Sequence, residues 1–414
     1  MDLHLLVSSL IILLVTLSIR QRIVKFDRPL GNIFFLAFIV RFIFALFQDT
    51  YQIIPYVWDE RAFLLAGQSF KDYLNMGNFP FPFKEINSIT SYGTFLGLIS
   101  KVFGDYSLIY RIINGFIGSL LVVLVYRISK MILINKISSY IIAFLVALTP
   151  SYILFTSLIM RDSIVWILTL FIFYFFIKGI KNMKIYYVLM GSFVSTILIF
   201  FRKLNAPILV LLGFLALIFI LVQRKYYFKK IKLKFMKVSL LGIIASLGVF
   251  TSIFTLFFIL STYGRSDIID YASSELLWRN QGGGAYLEYI HYKNFYDIVY
   301  YFPVKFLHFF FGPFLWNSNS LFSMLVSIES FLNTIFFILI LTNIKYFFKM
   351  DFKRKLLFMF TFFFTFSFIA ANSVIDANYG TAIRHKMIFM PTFYMFGLFL
   401  VENSKLFNFI KIKI

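Results

Sequence analysis

The sequence predicts an all-α protein that crosses a membrane about eleven times, and three observations carry this prediction. First, 60% of the 414 residues are hydrophobic and 14% are charged, whereas a soluble domain carries roughly 25% charged residues. Second, apolar runs recur that are long enough to cross a hydrocarbon core of about 30 Å. Third, basic residues collect in every second connection between these runs. A soluble core could not bury this much apolar surface, whereas lipid can.

Eleven apolar runs are the candidates for membrane-spanning helices. They cover residues 3–19, 30–47, 109–126, 138–157, 163–177, 185–201, 206–222, 238–262, 322–344, 356–375 and 387–402. No basic region precedes the first run and no small-residue cleavage site follows it, so we expect a retained helix rather than a signal peptide. We therefore expect a single transmembrane domain over residues 1–414, without a separate soluble domain.

The distribution of basic residues predicts how these helices are oriented. Of the 40 Lys and Arg residues, 25 lie in the alternate segments 20–29, 127–137, 178–184, 223–237, 345–355 and 403–414. Because Lys and Arg collect in cytoplasmic loops, we expect the N-terminus outside, the C-terminus in the cytoplasm and the chain in a plasma membrane. The same rule accounts for the net charge of +22 without a nucleic-acid partner.

Two long loops, 48–108 and 263–321, are then predicted to lie on the outer face. The first loop carries an apolar stripe at helical spacing, formed by Phe63, Ala66, Gly67, Phe70 and Leu74. This stripe predicts an amphipathic helix along the membrane surface. A second apolar stretch, 92–104, is too short to span the bilayer.

Two acidic motifs on the outer face are candidates for catalysis. Asp59-Glu60 lies in the first long loop, and Arg161-Asp162 lies in a short outer turn. A carboxylate there could act as a general base toward an acceptor hydroxyl or hold a divalent cation against a phosphate. Each motif also has a structural explanation, because Asp is a common helix N-cap and acids favour the positive end of a helix.

Basic residues on the outer face form a second group of candidates. They are Arg202-Lys203, Arg265, Arg279 and Arg384-His385-Lys386. The charge rule disfavours them there, and an anionic substrate would explain them, because guanidinium and ammonium groups bind phosphate. His385 has no companion at metal-ligand spacing, so we expect an ordinary solvated or stacked histidine. The chain contains no cysteine, which excludes disulfides, thiol catalysis and zinc–thiolate sites.

Four stretches together resemble the GT-C superfamily of membrane glycosyltransferases, in particular the protein O-mannosyltransferases and the aminoarabinose transferases of lipid A. The first stretch is Asp59-Glu60 with Phe63 and Ala66, and the second runs from Tyr92 to Tyr126 with Gly104, Arg111, Asn114 and Gly118. The third is Pro150-Ser151 with Ser157 and Arg161-Asp162, and the fourth is Gly380-Thr381 with Arg384 and Lys386. We expect an extra span before the acidic loop and no large soluble C-terminal domain of the kind that some relatives have, and both would be departures from the family.

The resemblance implies roles for these residues. Asp59 would be the general base or a metal ligand, Glu60 would assist it, and Asp162 would be the second acid. Arg384 and Lys386 would hold the donor phosphate, with Arg202, Lys203 and Arg279 as weaker candidates. A divalent cation at Asp59 and Asp162 is permitted by two acids and is not required, so no cofactor is certain.

The predicted function is therefore a membrane glycosyltransferase. It would move a sugar from a polyprenyl-phosphate or pyrophosphate donor to a glycan, lipid or protein acceptor on the outer face. A polymerase of O-antigen or capsule repeat units is an alternative, because such enzymes also present outer-face arginines. A transporter or flippase of lipid-linked saccharides is a second alternative; it would be expected to show acids or broken helices near the middle of its spans.

Overall fold

The structure is a computed structural model that describes residues 3–54, 58–77, 88–229, 265–280, 284–318 and 321–402. Helices make up 87% of it, and no strand occurs in these ranges. A single residue pair, Ala285 and Asn378, forms an isolated antiparallel bridge. The prediction of an all-α protein is therefore confirmed.

The α-helices are numbered in chain order. They are α1 (Leu3–Phe26), α2 (Arg28–Tyr51), α3 (Trp58–Asn75), α4 (Ser88–Phe103), α5 (Ser107–Ile132), α6 (Lys136–Leu148), α7 (Pro150–Ser157), α8 (Asp162–Asn182), α9 (Ile185–Phe201), α10 (Ala206–Lys229), α11 (Arg265–Arg279), α12 (Phe295–Phe311), α13 (Leu321–Asn343), α14 (Phe352–Ile375), α15 (Tyr379–Lys386) and α16 (Met390–Glu402).

Among the described residues, seven helices are long and apolar enough to cross a membrane, or eight if the bent pair α6–α7 is one span. Two further predicted spans correspond to the shorter apolar helices α9 and α16. With 13 residues, α16 rises by about 20 Å, which is less than the hydrocarbon thickness. The predicted span 238–262 lies outside the described residues. A multi-pass membrane protein is confirmed, whereas eleven spans and the orientation stay predictions.

The chain forms two compact units. Unit 1 comprises Met1–Lys130, Lys136–Phe171 and Phe193–Ala206. Unit 2 comprises Met131–Asn135, Ile172–Ser192 and Pro207–Ile414. The acidic motifs of the sequence lie in unit 1.

In unit 1, the predicted amphipathic helix α3 packs its apolar stripe against α4. Phe63 and Phe70 are buried in this contact. The two backbones approach closely because glycines face each other: a Cβ atom on Gly93 would lie 2.8 Å from the carbonyl carbon of Ala66, and one on Gly97 would lie 3.0 Å from the carbonyl oxygen of Gly67. The stripe therefore holds α3 and α4 together as a pair.

The bend between α6 and α7 is stabilised by a buried arginine. The two helices meet at 51° because Pro150 has no N–H to donate to Val146. The guanidinium of Arg41, fully buried on α2, donates instead to the carbonyl oxygens of Val146 at 3.1 Å and Ala147 at 2.9 Å. It also donates to Thr156 Oγ1 at 2.9 Å. Arg41 thus satisfies backbone groups that the helix break leaves open.

In unit 2, the helix α12 and the apolar helices around it form an aromatic interior. Asn294 and Asp297 cap the start of α12 through reciprocal side-chain hydrogen bonds, and the helix ends at Phe311. Phenylalanine rings dominate the contacts between α12, α13, α14 and α16. These rings leave a cavity of about 140 Å³ lined by Phe306, Phe310, Phe337, Ile340, Phe362, Thr365, Phe366, Ile369, Phe393 and Phe396.

We expect Arg41→Met to destabilise the folded protein strongly. The substitution leaves several buried acceptors without a donor, and each such group costs about 1–3 kcal/mol. The midpoint of thermal unfolding in detergent or lipid measures the effect. The matched control is Arg127→Met, because Arg127 is exposed at the end of α5. Equal midpoints for the two variants would contradict the role given to Arg41.

We also expect Gly118→Ala to lower the free energy of unfolding by about 1–3 kcal/mol, which appears as a lower midpoint of thermal unfolding. A Cβ atom on Gly118 would lie 2.6 Å from both Cβ and Oγ1 of Thr156, the residue that accepts from Arg41. Gly213→Ala is the control, because its nearest neighbour would be 3.4 Å away and alanine favours the helix. A Gly118→Ala protein as stable as the control would contradict this close packing.

Candidate functional site

The predicted site residues fall into two sets, one in each unit. Unit 1 holds the three acids and two of the bases, which are Asp59, Glu60, Asp162, Arg202 and Lys203. Unit 2 holds the other predicted bases, Arg279, Arg384 and Lys386. The structure therefore groups all three candidate acids in one compact unit.

Asp59 and Glu60 both lie in the first turn of α3 but in different surroundings. Glu60 is 1% exposed, whereas Asp59 is half-buried. Glu60 accepts from Arg111 Nη1 at 2.8 Å and from the backbone N–H of Ile159 at 2.7 Å. The Glu60 carboxylate is therefore engaged by protein groups, and Asp59 is the member of the pair that reaches toward the surface.

Arg111 connects Glu60 to a further carboxylate that the sequence analysis did not single out. The Nε atom of Arg111 lies 3.6 Å from Asp49 Oδ1 near the end of α2. Asp49 in turn accepts from Ser107 Oγ at 2.5 Å at the start of α5. One buried guanidinium thus lies between two acids on different helices.

Asp162 opens α8 and is fully buried. It lies close to Glu60 around the hydroxyl of Tyr92. Burial raises the pKa of Tyr92, and the negative charges of Asp162 and Glu60 raise this pKa further, although the hydrogen bond from Asn114 lowers it. Two of the three predicted acids therefore act on the same hydroxyl.

Asn114 fixes the turn that carries Arg161 and Asp162. Its Nδ2 atom lies 2.7 Å from Tyr92 Oη, 2.7 Å from the carbonyl oxygen of Leu158 and 3.0 Å from that of Met160. The guanidinium of Arg161 lies 5.8 Å from the ring centre of Phe63. Because Phe63 follows Asp59 by one helical turn, Arg161 is held over the face of α3 that carries Asp59.

The two bases of unit 1 follow α9. Phe201 packs against the same apolar core as Phe63 and Ile159. Arg202, the next residue, is buried, and Lys203 is exposed in a 3-10 turn. These two cations therefore lie at the edge of the core that also supports α3.

In unit 2, a buried carboxylate collects several basic groups. Asp376, which follows α14, bonds Arg279 Nη1 and lies 2.6 Å from His385 Nδ1. Burial raises the pKa of Asp376, but the charges of His385 and Arg279 and their hydrogen bonds lower it well below its ordinary value. Arg279 also donates to Glu275 at 2.7 Å, so its charge is balanced by two acids.

Lys305 and His308 on α12 border this cluster. The Lys305 ammonium donates to the carbonyl oxygen of Asp376 and lies 5.3 Å from the ring centre of Tyr286. Burial lowers the pKa of Lys305 to about 7. His308 Nδ1 lies 2.9 Å from Tyr379 Oη, and burial together with the charge of Lys305 lowers the pKa of His308.

Lys386 and Arg384 lie near each other on α15 with different exposure. Lys386 is buried, and its ammonium donates to the carbonyl oxygens of Phe310 at 3.3 Å and Gly312 at 2.7 Å. Burial lowers the pKa of Lys386 to about 8, and the charge of Glu329 opposes this shift. Lys386 therefore caps the end of α12, whereas Arg384 is half-buried.

The sequence analysis missed Asp49, Asp376, Lys305, His308 and Glu329. Arg279 and Asp376 are 97 positions apart, so no local spacing could pair them. His385, expected to be solvated or stacked, is instead buried against Asp376. Glu329 did leave a signal, because an acid inside a predicted span is a functional candidate by default. As for a metal, no group of three or more His, Asp or Glu side chains suited to an ion occurs in the described part of the chain.

Comparisons with protein families, with curated proteins and with solved structures found no match to this chain.

We expect Asp376→Asn to lower the free energy of unfolding by about 3 kcal/mol or more at neutral pH. The reason is that the substitution leaves the largely buried Arg279 with one carboxylate fewer. The folded protein holds the pKa of Asp376 below the ordinary value of 3.8. The stabilisation is therefore complete above that pH and is lost as the pH falls below it.

Thermal unfolding of wild type and Asp376→Asn from pH 8 down to about pH 2 checks this expectation, because the loss begins near pH 3.8 and continues toward the lowered pKa of Asp376 in the folded protein. Asp351→Asn is the control, because Asp351 is exposed and caps α14, and Asn caps a helix as well as Asp. A stability gap between wild type and Asp376→Asn that persists unchanged at low pH would contradict the assigned charge state.

Proposed function

We propose that this chain is a membrane glycosyltransferase that uses a sugar donor carried on polyprenyl phosphate or pyrophosphate. The observation that carries the proposal is the environment of Asp59. This carboxylate is half-buried at the start of α3, and its neighbour Glu60 is locked by Arg111. The same packing brings the Arg161–Asp162 turn to α3.

In this proposal, Asp59 acts as the general base. It takes the proton from an acceptor hydroxyl as the acceptor oxygen attacks the anomeric carbon of the donor. The bond between that carbon and the phosphate oxygen breaks, and its electron pair leaves with the polyprenyl phosphate. A carboxylate that is neither fully buried nor fully solvated suits this task, since it must accept a proton and stay reachable.

The leaving phosphate needs positive charge as the bond breaks. In unit 1, Arg202 and Lys203 are the predicted bases at the edge of the core that supports α3. In unit 2, Arg384 is half-buried and stays a candidate for the donor phosphate. Arg279 and Lys386 are weaker candidates, because their donors already bind carboxylates and carbonyl oxygens.

The proposed setting is the outer face of a plasma membrane. The acceptor would be a cell-surface glycan, lipid or protein, and the polyprenyl chain would stay among membrane lipids. A divalent cation at Asp59 and Asp162 is compatible with the proposal, and the chemistry above does not depend on it.

A repeat-unit polymerase built around arginines is the second candidate. The cluster of Arg279, Asp376, His385 and Lys305 in unit 2 favours it, because this cluster collects basic groups around one buried acid. A transporter is the third candidate, favoured by the break between α6 and α7 and by Glu329 in α13. Because Arg41 stabilises this break structurally, the break alone is weak support for a transporter.

We expect Asp59→Asn to reduce sugar release from a pool of polyprenyl-linked sugars by about 100-fold or more, because general-base catalysis contributes roughly 10²–10⁴. The measurement compares purified wild type and variant in lipid at equal folded yield. Asp72→Asn is the control, since Asp72 is exposed on the same helix α3 and should leave release unchanged.

The other outcomes separate the candidates. Equal release by wild type and Asp59→Asn would favour the polymerase, and loss of release in Arg279→Met would then locate the chemistry in unit 2. No release from any donor by well-folded wild type would favour transport.

A further inference from the structure

A chain of polar contacts in unit 1, buried at its centre and partly exposed at Asp49, joins four parts of the fold through Arg111. It runs from Ser107 on α5 to Asp49 on α2, then to Arg111, and from Arg111 to Glu60 on α3. Glu60 extends the chain to the N–H of Ile159 in the turn before α8. The chain therefore ties α2, α3, α5 and this turn to one another.

The central contact of this chain is closed to a substrate. The side chains of Arg111 and Glu60 are 3% and 1% exposed, and the Glu60 carboxylate bonds two nitrogens of Arg111, at 2.8 and 3.5 Å. Removing either partner would leave an uncompensated buried charge, which the surrounding helices could relieve only by moving. The pair therefore constrains the geometry around it more than an exposed ion pair would.

The residues constrained in this way are those proposed to act on the substrate. Asp59 precedes Glu60 in the same helical turn, so a shift of Glu60 moves the Asp59 carboxylate. Glu60 also accepts a hydrogen bond from the backbone of the 158–160 segment, and Asn114 donates to two carbonyl oxygens of the same segment. That segment leads directly into Arg161 and Asp162.

We propose that Glu60 and Arg111 are positioning residues that set the distance between Asp59 and the Arg161–Asp162 turn. Glu60, which the sequence resemblance placed beside Asp59 as a catalytic assistant, would thus act through Arg111 and not on the sugar. This inference rests on the proposed function for its kinetic readout. Its structural readout is independent of that function.

The kinetic experiment compares Glu60→Gln, Arg111→Met and the double variant in lipid. We expect each single variant to lower kcat by about 10- to 100-fold, because misplacement by about 1 Å has effects of this size. KM for the lipid-linked donor should stay within about twofold of wild type, since the donor contacts are intact. The double variant should lose no more than the worse single variant, because both substitutions break one contact.

The structural experiment uses spin labels, which attach cleanly because the chain has no native cysteine. Leu65→Cys on α3 and Phe171→Cys on α8, the helix that Asp162 opens, carry the labels, as both side chains are exposed. We expect one narrow distance distribution in the otherwise wild-type protein and a broadened or shifted one in Glu60→Gln and Arg111→Met. Lys71→Met is the matched control, because the Lys71–Asp105 pair lies in the same unit but is about one-third exposed.

Arg111→Lys covers the case in which the stronger variants fail to fold. It keeps a cation beside Glu60 but gives up the two-pronged contact, so we expect a folded protein with a smaller drop in kcat and a smaller change in the distances. If Arg111→Lys keeps a higher kcat than Arg111→Met and label distances closer to those of wild type, the result supports a positioning role for Arg111.

Two results would overturn the inference. In the first, Glu60→Gln lowers kcat without changing the label distances, and the losses of the two single variants multiply in the double variant. Glu60 would then be a group that acts on the substrate. The other is normal kcat per folded molecule in all variants, which would make the pair purely structural. If wild type releases no sugar at all, the glycosyltransferase proposal fails, and the label distances still decide whether the pair sets this geometry.

Discussion

A charged or polar group in an apolar surrounding must find its partners inside the protein, and this constraint shapes both units. Water cannot complete the hydrogen bonds of a helix break within lipid, so the bend between α6 and α7 depends on the guanidinium of Arg41. Three donors on one rigid fork suit this task better than a single ammonium. The position of α2 against α6 and α7 follows from these bonds, and the close approach of Gly118 to Thr156 packs α5 against α7.

The same constraint separates the conspicuous charges into buried members and members closer to the surface. Glu60, Arg279 and Lys386 looked equivalent to their neighbours in the sequence, but each is bound to a buried partner in the fold. The charges left closer to the surface are Asp59, Lys203 and Arg384. Burial thus divides each charged motif into a buried member and a more exposed member.

Hydropathy located the long helices well because lipid selects for apolar length, which is a local property of the chain. The stripe from Phe63 to Leu74 predicted α3 for the same reason, since its period is set within one helix. The clusters were not predictable in this way. Arg41 meets carbonyl oxygens more than 100 positions away, and Asp376 meets Arg279 across 97 positions. The apolar run 387–402 was predicted as a span, but the helix within it, α16, has 13 residues, fewer than the roughly 20 that a span needs.

The two clusters differ in a way that bears on their chemistry. Around Asp376, two acids balance the charge of Arg279, and the ammonium of Lys305 donates to a carbonyl oxygen. Because these groups are largely buried, the cluster is a stabilising centre of unit 2. Around Glu60, the buried pair is surrounded by groups that lie closer to the surface, with Asp59 on one side and Arg161 on the other. An acceptor hydroxyl needs a base that it can reach, and the proton it loses needs a carboxylate that is not already committed to a guanidinium. In the proposed reaction, Asp59 would meet the first condition by its half-buried position, whereas Glu60, which is bound to Arg111, fails the second.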